Sequence, residues 1–319
     1  MNASASLIQA SQSTLEALSK RHEMLSRHTS MKTGGPASWW AEPNDEDELA
    51  AILREVTRRG LPLRSLGAGS NLVALDEGCK GVILHLGRGF ETMRVEENRL
   101  VAGGAALLPK LTKFALQNNL GNFEWACGIP GSAGGSIWGN AGARGFNGQA
   151  WESRDCAADL QSVIVFDRDG RRQTLQRNEI EFGYRRSSLG DFIIVEATFA
   201  LKPLSEADAV HHREAVRDLL QKRRETQPAN AASAGCIWKN PDRAACEANG
   251  CRGTGELIEK LGLKGLSVGG AQVSPLHGNF VVNNGGASGA DVTALIEEVE
   301  RRVKMATGIE LEPEVRFLG

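Results

Sequence analysis

Apolar positions along the chain follow two rhythms. At helical spacing, Leu49, Ile52, Leu53 and Val56 form one face of a helix that Asn44 caps and Gly60 stops. Leu108, Leu111, Phe114 and Ala115 repeat the pattern toward Gly121. A charged segment at 206–226 turns Val210, Val216, Leu219 and Leu220 inward before Pro228 ends it. A short helix over 255–261 and a long one bearing Val292, Leu295, Ile296, Val299 and Val303, closed by Gly308, follow; a weaker amphipathic pattern covers 4–20. Alternating or wholly apolar runs predict strands at 81–86, 123–126, 162–167, 192–201, 279–282 and 309–318. Residues 27–43 read as an extended lead-in with a turn at 34–36, and 231–241 as a loop.

These elements group into three lobes of an α+β fold. Residues 1–86 make a small lobe; 87–204, where strand patterns outnumber helical ones, make a second with an expected mixed sheet; 205–308 make a third beyond Pro203. The last stretch, 309–319, is expected to rejoin the first lobe. A chain of 319 residues is long enough to bury more than one core. A net charge of −2 argues against a sequence-independent grip on nucleic acid or anionic membrane. No run approaches the ~20 apolar residues of a spanning helix, and the N-terminus lacks a basic start followed by an apolar core, so a cytosolic protein is expected. The six cysteines (79, 127, 156, 236, 246 and 251) are spread out and expected to be reduced.

Two glycine-rich turns carry the first chemical signal. The segment 128–145, GIPGSAGGSIWGNAGARG, concentrates glycines where backbone must turn tightly or be approached closely. A second turn, Gly67, Ala68, Gly69, Ser70, Asn71 and Leu72, lies between two strand patterns. Bare amides in such turns suit an anion, above all a phosphate, although turns and bulges without a ligand account for the glycines equally well. The second turn begins like G-x-G-x-x-G, but Leu72 stands at the third glycine and no helical pattern follows, so a dinucleotide-binding Rossmann unit is excluded. No G-x-x-x-x-G-K-[ST] phosphate loop is present.

Three polar clusters interrupt apolar or loop sequence: 184–187 (YRRS, with the single tyrosine of the chain), 234–241 (AGCIWKNP) and 312–316 (EPEVR). An arginine can clamp a carboxylate, a thiol can deliver a proton, and a carboxylate can hold or relay one, which together suits acid–base work on a carboxylated substrate. Singly, each has a plainer meaning: Arg185 as a surface ion pair, Cys236 as a small buried hydrophobe, Glu314 as a solvated strand residue. Spacing alone does not join them.

The order of motifs does. SMKTGGPA, LGAGSNL, GIPGSAGGSIWGNAGA, FGYRRSSL, SAGCIWKNP, GGAQVSPLHGNFVVN and LEPEVRFLG, running from about residue 29 to the end, resemble the bacterial UDP-N-acetylenolpyruvoylglucosamine reductases. The resemblance implies a flavoenzyme of peptidoglycan precursor synthesis with a vanillyl-alcohol-oxidase-type (PCMH-type) FAD-binding domain. It implies FAD held by residues 67–72 and by Gly128, Ile129, Pro130, Ser132, Gly134, Gly135, Gly139, Asn140 and Gly142. It further implies NADPH as co-substrate and UDP-N-acetylglucosamine enolpyruvate as substrate. Hydride would pass from flavin N5 to the enolpyruvyl group, with Arg185 and Glu314 stabilising the enolate-like intermediate. Tyr184, Lys239, Asn240, Gln272 and His277 match substrate-side positions. No metal is implied, and a monomer is expected.

The chain departs from that family in two places. Most members carry a serine as proton donor where this chain has Cys236, which is therefore expected to supply the proton, with serine able to replace it. Residues 243–254 are longer than the usual link, and Cys246 and Cys251 within them read as free thiols of a flexible loop, since no histidine is near to complete a metal site. The segment 187–199 has no obvious substrate-capping insertion, as in the shorter of the family's layouts. Three other functions remain open on the residues alone: a different oxidoreductase on the same flavin fold, a hydrolase using Cys236 with His277 as base, and a nucleotide-binding protein without turnover.

Overall fold

The computed structural model describes residues 14–319. Most of the helix expected over 4–20 lies outside them; its described end is helical at Thr14–Ala17 and already a strand at Ser19–Met24. That strand opens a four-stranded sheet in the order Ser19–Met24, Pro36–Ala41, Cys79–Leu84, Leu63–Ser65. The pairings on either side of Cys79–Leu84 are parallel and the outer one is antiparallel. The helix Glu46–Arg58 lays Leu49, Ile52, Leu53 and Val56 onto this sheet against Ala41, Val82 and Leu84. Its N-cap is Asp45, one residue past the expected Asn44: the Asp45 carboxylate accepts the Glu48 amide at 2.8 Å, while the Asn44 amide donates to the Glu48 side chain.

The second sheet runs Arg172–Gln176, Leu160–Phe166, Ile193–Ala200, Arg99–Gly103, Met93–Glu96. Every pairing in it is antiparallel, which corrects the mixed sheet expected here. Its outer pairs are joined by turns too short for the crossover that parallel strands require. The parallel pairings belong to the first lobe, whose helix supplies such a crossover. Phe166, Ile193 and Val195 of the second sheet bury into the first lobe's core, so the two lobes share an apolar seam. The run 123–126 is not a strand. Phe123, at the N-cap, and Trp125, within it, are buried at a 3-10 helix, Glu124–Gly128, and the glycine-rich segment beyond contains a short helix, Ala133–Trp138.

The helix Glu206–Thr226 forms where the periodicity predicts, but its contact face is rotated: Ala209 and His212 are buried, whereas Val210 is 48% exposed. After it, 231–241 is more than a loop. Ala232–Cys236 is the first strand of a four-stranded antiparallel sheet, followed in order by Phe280–Asn283, Ala271–Val273 and Ser267–Val268. The helices Thr254–Lys260 and Gly289–Thr307 cover it, the latter opened by a Ser288–Asp291 capping box and closed by left-handed Gly308. The expected flexible loop at 243–254 instead holds a helix, Arg243–Ala248, and both its thiols, Cys246 and Cys251, are buried in this lobe's core. Of the final stretch only Arg316–Leu318 is a strand, and it pairs in parallel with Leu72–Ala74 of the first lobe.

Buried Asn279 extends the ladder just past the Cys236–Phe280 end of the strands Ala232–Cys236 and Phe280–Asn283. Its side chain accepts the Trp238 amide at 2.9 Å and donates to the Trp238 carbonyl at 2.8 Å. Replacing Asn279 by Ala strands both backbone groups, and the expected loss is about 2–4 kcal/mol of unfolding free energy, to be read from urea denaturation.

Candidate active site

The turn after Leu63–Ser65 separates two sheets, because Leu63–Ser65 pairs with Cys79–Leu84 and Leu72–Ala74 with the C-terminal strand. Gly69 at its centre has φ +61°, and a Cβ there would run into the His28 carbonyl. The amides of Gly67, Ala68, Gly69, Ser70 and Asn71 have no acceptor among the described residues. A Cβ on Gly67 would lie 2.5 Å from Ser132 Oγ, so the two glycine turns touch.

The second turn is built differently. The amides of Ala133 and Gly134 donate to the carbonyls of Ala106 and Gly104, and that of Gly135 to Ser132 Oγ. Among the described residues only Gly131 and Ser132 present open amides beside the first turn. The two turns together therefore offer one row of donors, carried mostly by residues 67–71, where a diphosphate would find hydrogen bonds without displacing any. Asn140, in the left-handed region at φ +43°, spends its side chain on Asp155, Gly183 and the Ala157 amide, and so braces the segment.

Arg185 sits at the tip of a minimal hairpin, Phe182–Gly183 with Arg186–Ser187, at φ +54°. A non-glycine residue in that region is strained and is kept only where its surroundings determine it. Here they do: Nε donates to Glu314 Oε1 at 2.7 Å, and the Nη atoms approach the carbonyls of Asn140 and Gly142 at 3.5 and 3.3 Å. Tyr184 donates its hydroxyl to the other Glu314 oxygen at 3.0 Å. Glu314 is itself threaded between lobes, its amide donating to the Ile237 carbonyl at 2.7 Å and its carbonyl accepting Asn71 Nδ2 at 3.2 Å.

Cys236 joins this group through a bulge. The pairing of Ala232–Cys236 with Phe280–Asn283 slips between Ser233 and Cys236, at left-handed Gly235, which re-aims the side chain. Gly235 lies by the carbonyl of Ser70 in the first glycine turn. Burial, reinforced by the Glu314 carboxylate, pushes the Cys236 thiol up to about 11, against the pull of Arg185 and Arg223. Arg185, Cys236 and Glu314, far apart in the chain, therefore share one electrostatic neighbourhood beside the open amides.

The substrate-side candidates divide. Tyr184 belongs to the cluster. Lys239 pairs with Glu312 at 2.8 Å, and Asn240 accepts the Thr254 amide at 3.0 Å, closing the ends of the excursion 241–253. Gln272 lines a separate groove with Arg224, Gln227, Ser274 and Asn284. His277 faces Gly255 and Phe280 and accepts the Asn279 amide. Burial, then Lys264, lowers its pKa, and none of its bonds reaches Cys236. Sequence reasoning missed Arg223: a Cβ on Gly128 would fall on its guanidinium, and its charge acts on Cys236. Nothing in the spacing of a charged helix distinguishes that arginine from its solvated neighbours.

The family model described as "FAD binding domain" matches residues 37–176, and that described as "UDP-N-acetylenolpyruvoylglucosamine reductase, C-terminal domain" matches 227–318. The chain is 41% identical over 301 residues to a UDP-N-acetylenolpyruvoylglucosamine reductase of Heliobacterium modesticaldum, covering 94% of this chain and 90% of that protein. It is 40% identical over 302 residues to one from Symbiobacterium thermophilum, covering 94% and 92%. The crystal structure of the Thermus caldophilus UDP-N-acetylenolpyruvylglucosamine reductase superposes with a TM-score of 0.76 at 33% identity, over 94% of this chain and 99% of that one.

With its thiol raised to about 11, Cys236 is expected to be almost wholly protonated at neutral pH. Its alkylation by iodoacetamide, followed by peptide mass mapping, should rise about tenfold per pH unit from 7 to 10, because only the thiolate reacts. A plateau below pH 9 would contradict this.

Proposed function

The chain belongs to the UDP-N-acetylenolpyruvoylglucosamine reductases, and from that premise we propose that Cys236, Arg185 and Glu314 carry the protonation and charge stabilisation of its reaction. It is an FAD-containing oxidoreductase, a UDP-N-acetylmuramate dehydrogenase of peptidoglycan precursor synthesis, with an α+β fold and a PCMH-type FAD-binding domain. When bound, FAD would supply the hydride chemistry by which NADPH reduces the enolpyruvyl ether, yielding UDP-N-acetylmuramate. The open amides of residues 67–71, with those of Gly131 and Ser132, suit its diphosphate.

Hydride addition leaves negative charge on the neighbouring carbon and its carboxylate. Arg185, already fixed by Glu314 and two backbone carbonyls, needs no reorganisation to face that charge. The carboxylate of Glu314 acts through its hold on Arg185 and Tyr184, since an anion does not itself stabilise an anion. Cys236 gives the thiol proton to the carbon, and solvent later restores it. The observation that carries this reading is the 2.7 Å Arg185–Glu314 pair with Cys236 in its field.

In the same reading, 1–86 with 309–319 and 87–204 surround FAD, and 205–308 receives the UDP-sugar, with Lys239, Asn240, Gln272 and His277 on its side. We take the enzyme to be a monomer of the cytoplasm with no nucleic-acid or membrane partner. Among the described residues no helix is long and apolar enough to cross a membrane.

Anaerobic half-reactions test the assignment. NADPH should bleach the bound flavin, and UDP-N-acetylglucosamine enolpyruvate should restore its colour. Cys236→Ala should slow the second step by about a hundredfold or more, the usual scale of general-acid catalysis, while Cys236→Ser stays within about tenfold; reoxidation at the wild-type rate in Cys236→Ala would remove Cys236 from the mechanism. Gly69→Ala, which forces a Cβ toward the His28 carbonyl at φ +61°, should weaken FAD binding about tenfold or more in a flavin-fluorescence titration.

A further inference from the structure

The excursion 241–253 is closed at its base by two bonds: Asn240 accepts the Thr254 amide at 3.0 Å, and Thr254 donates its hydroxyl to the Lys239 carbonyl at 2.6 Å. Between them the short helix Arg243–Ala248 is opened by Asp242, whose carboxylate accepts the Ala245 amide at 2.7 Å. From Asp242 to Arg252 the only buried side chains, among the described residues, are Cys246 and Cys251. Each is 6% exposed, and both belong to the same core as Ile237 and Trp238. The side chains of Arg243 and Arg252, on the two flanks, are 92% and 93% exposed. Two thiols therefore anchor an otherwise solvated excursion.

The end of the helix brings those thiols together. Gly250 is left-handed at φ +61°. Its amide donates to the Glu247 carbonyl at 3.0 Å, and the Cys251 amide donates to the Cys246 carbonyl at 2.9 Å. This nested pair of bonds is the Schellman motif, in which the residue past the left-handed position folds back onto the residue that accepts its amide. The Cys246 oxygen and the Cys251 nitrogen lie about 2.4 and 1.5 Å from their own Cα atoms. A 2.9 Å bond between them thus keeps the Cα atoms within the ~6.8 Å that a disulfide spans. Burial, then contact with the Cys251 thiol, raises the Cys246 pKa, and the Cys246 thiol also points at the Pro241 carbonyl, 3.8 Å away. Alanine or valine at either place would fill a similar space; a thiol at both adds chemistry that packing does not require.

We propose that Cys246 and Cys251 form a reversible dithiol–disulfide site, oxidised by hydrogen peroxide and reduced by dithiols, which the capping turn at Gly250 holds in position to close. One thiol, as its thiolate, attacks a peroxide oxygen; the O–O bond breaks, a sulfenic acid forms and one water leaves. The second thiol attacks that sulfur, the S–S bond forms and the hydroxyl departs as a second water. Two electrons pass from the sulfur pair to the peroxide, and the two thiol protons end in water. A dithiol reverses the closure through a mixed disulfide. Because so little of the excursion is buried, local opening admits the oxidant without unfolding the lobe. Closure also removes the Cys246 hydrogen from the Pro241 carbonyl, next to Asn240, so the redox state changes bonding at the base of the excursion. This chemistry goes beyond the reductase reaction and does not depend on it.

The test is made on the full chain and reads thiols, not turnover. After exposure to hydrogen peroxide the protein is denatured, alkylated with iodoacetamide and cut with trypsin at Arg243 and Arg252, releasing the peptide 244–252 with both cysteines and no other. That peptide should be lighter by two hydrogen atoms and unalkylated, while fully buried Cys156 stays reduced; dithiothreitol should restore alkylation of both thiols. Cys251→Ser should leave Cys246 as a sulfenic acid that dimedone traps. Gly250→Ala, strained at a left-handed position, should slow closure about three- to tenfold, and Gly250→Asn, which tolerates that region, should stay within about twofold. Full alkylation of 244–252 under conditions that oxidise added free cysteine overturns the site. So does oxidation of either thiol to sulfinic acid with no link between them, or a link from either to Cys236 or to a second chain. Wild-type closure in Gly250→Ala, or its loss in Gly250→Asn, overturns the role of the capping turn.

Discussion

The architecture depends on how one carboxylate near the C-terminus is held. Glu314 binds Arg185 and Tyr184 of the second lobe with its side chain. Its main chain bonds Ile237 in the third and Asn71 in the first. Two residues on, the Arg316 amide donates to the Asn71 carbonyl and starts the parallel strand against Leu72–Ala74. A single residue therefore bonds to segments of all three parts of the chain. A partly buried ion pair is a weak source of stability, because desolvation opposes the Coulomb gain. Its value here is geometric: it fixes a cation at a strained turn.

The charges around Cys236 are arranged with the same economy of contact. Burial and a carboxylate keep the thiol protonated, while two arginines lower the cost of its anion. An acid that must give up a proton needs both conditions, protonation beforehand and a tolerable conjugate base afterwards. The thiol's own carrier strand bulges at Gly235 to bring it there, and Asn279 extends the backbone bonding on the far side of the bulge.

The two glycine turns, alike in composition, do different work. Residues 67–71 leave their amides open, and their glycines allow close packing against His28 and Ser132. In 128–142 most amides are satisfied by the protein, and the glycines let backbone, a helix and the Arg223 guanidinium crowd together. Glycine content alone could not have separated a turn with open amides from a packing device, since both require the absence of a side chain.

Local pattern was enough for much of the fold. Helical periodicity located Glu46–Arg58, Glu206–Thr226 and Gly289–Thr307, and motif order marked the family. It failed where partners lie far off in the chain: the all-antiparallel second sheet, the 3-10 helix at Glu124–Gly128, the buried thiols of Cys246 and Cys251, and the burial of His212 in place of Val210. Arg223 is the sharpest case. A charged residue on a helix carries no mark of whether water or another element's backbone faces it, as Gly128 faces this one, because that depends on which surface the helix lies against. Periodicity reports a residue's neighbours three and four places away; only packing brings together residues tens to hundreds of places apart, as Arg185 meets Gly142 and Glu314 and Glu314 meets Asn71.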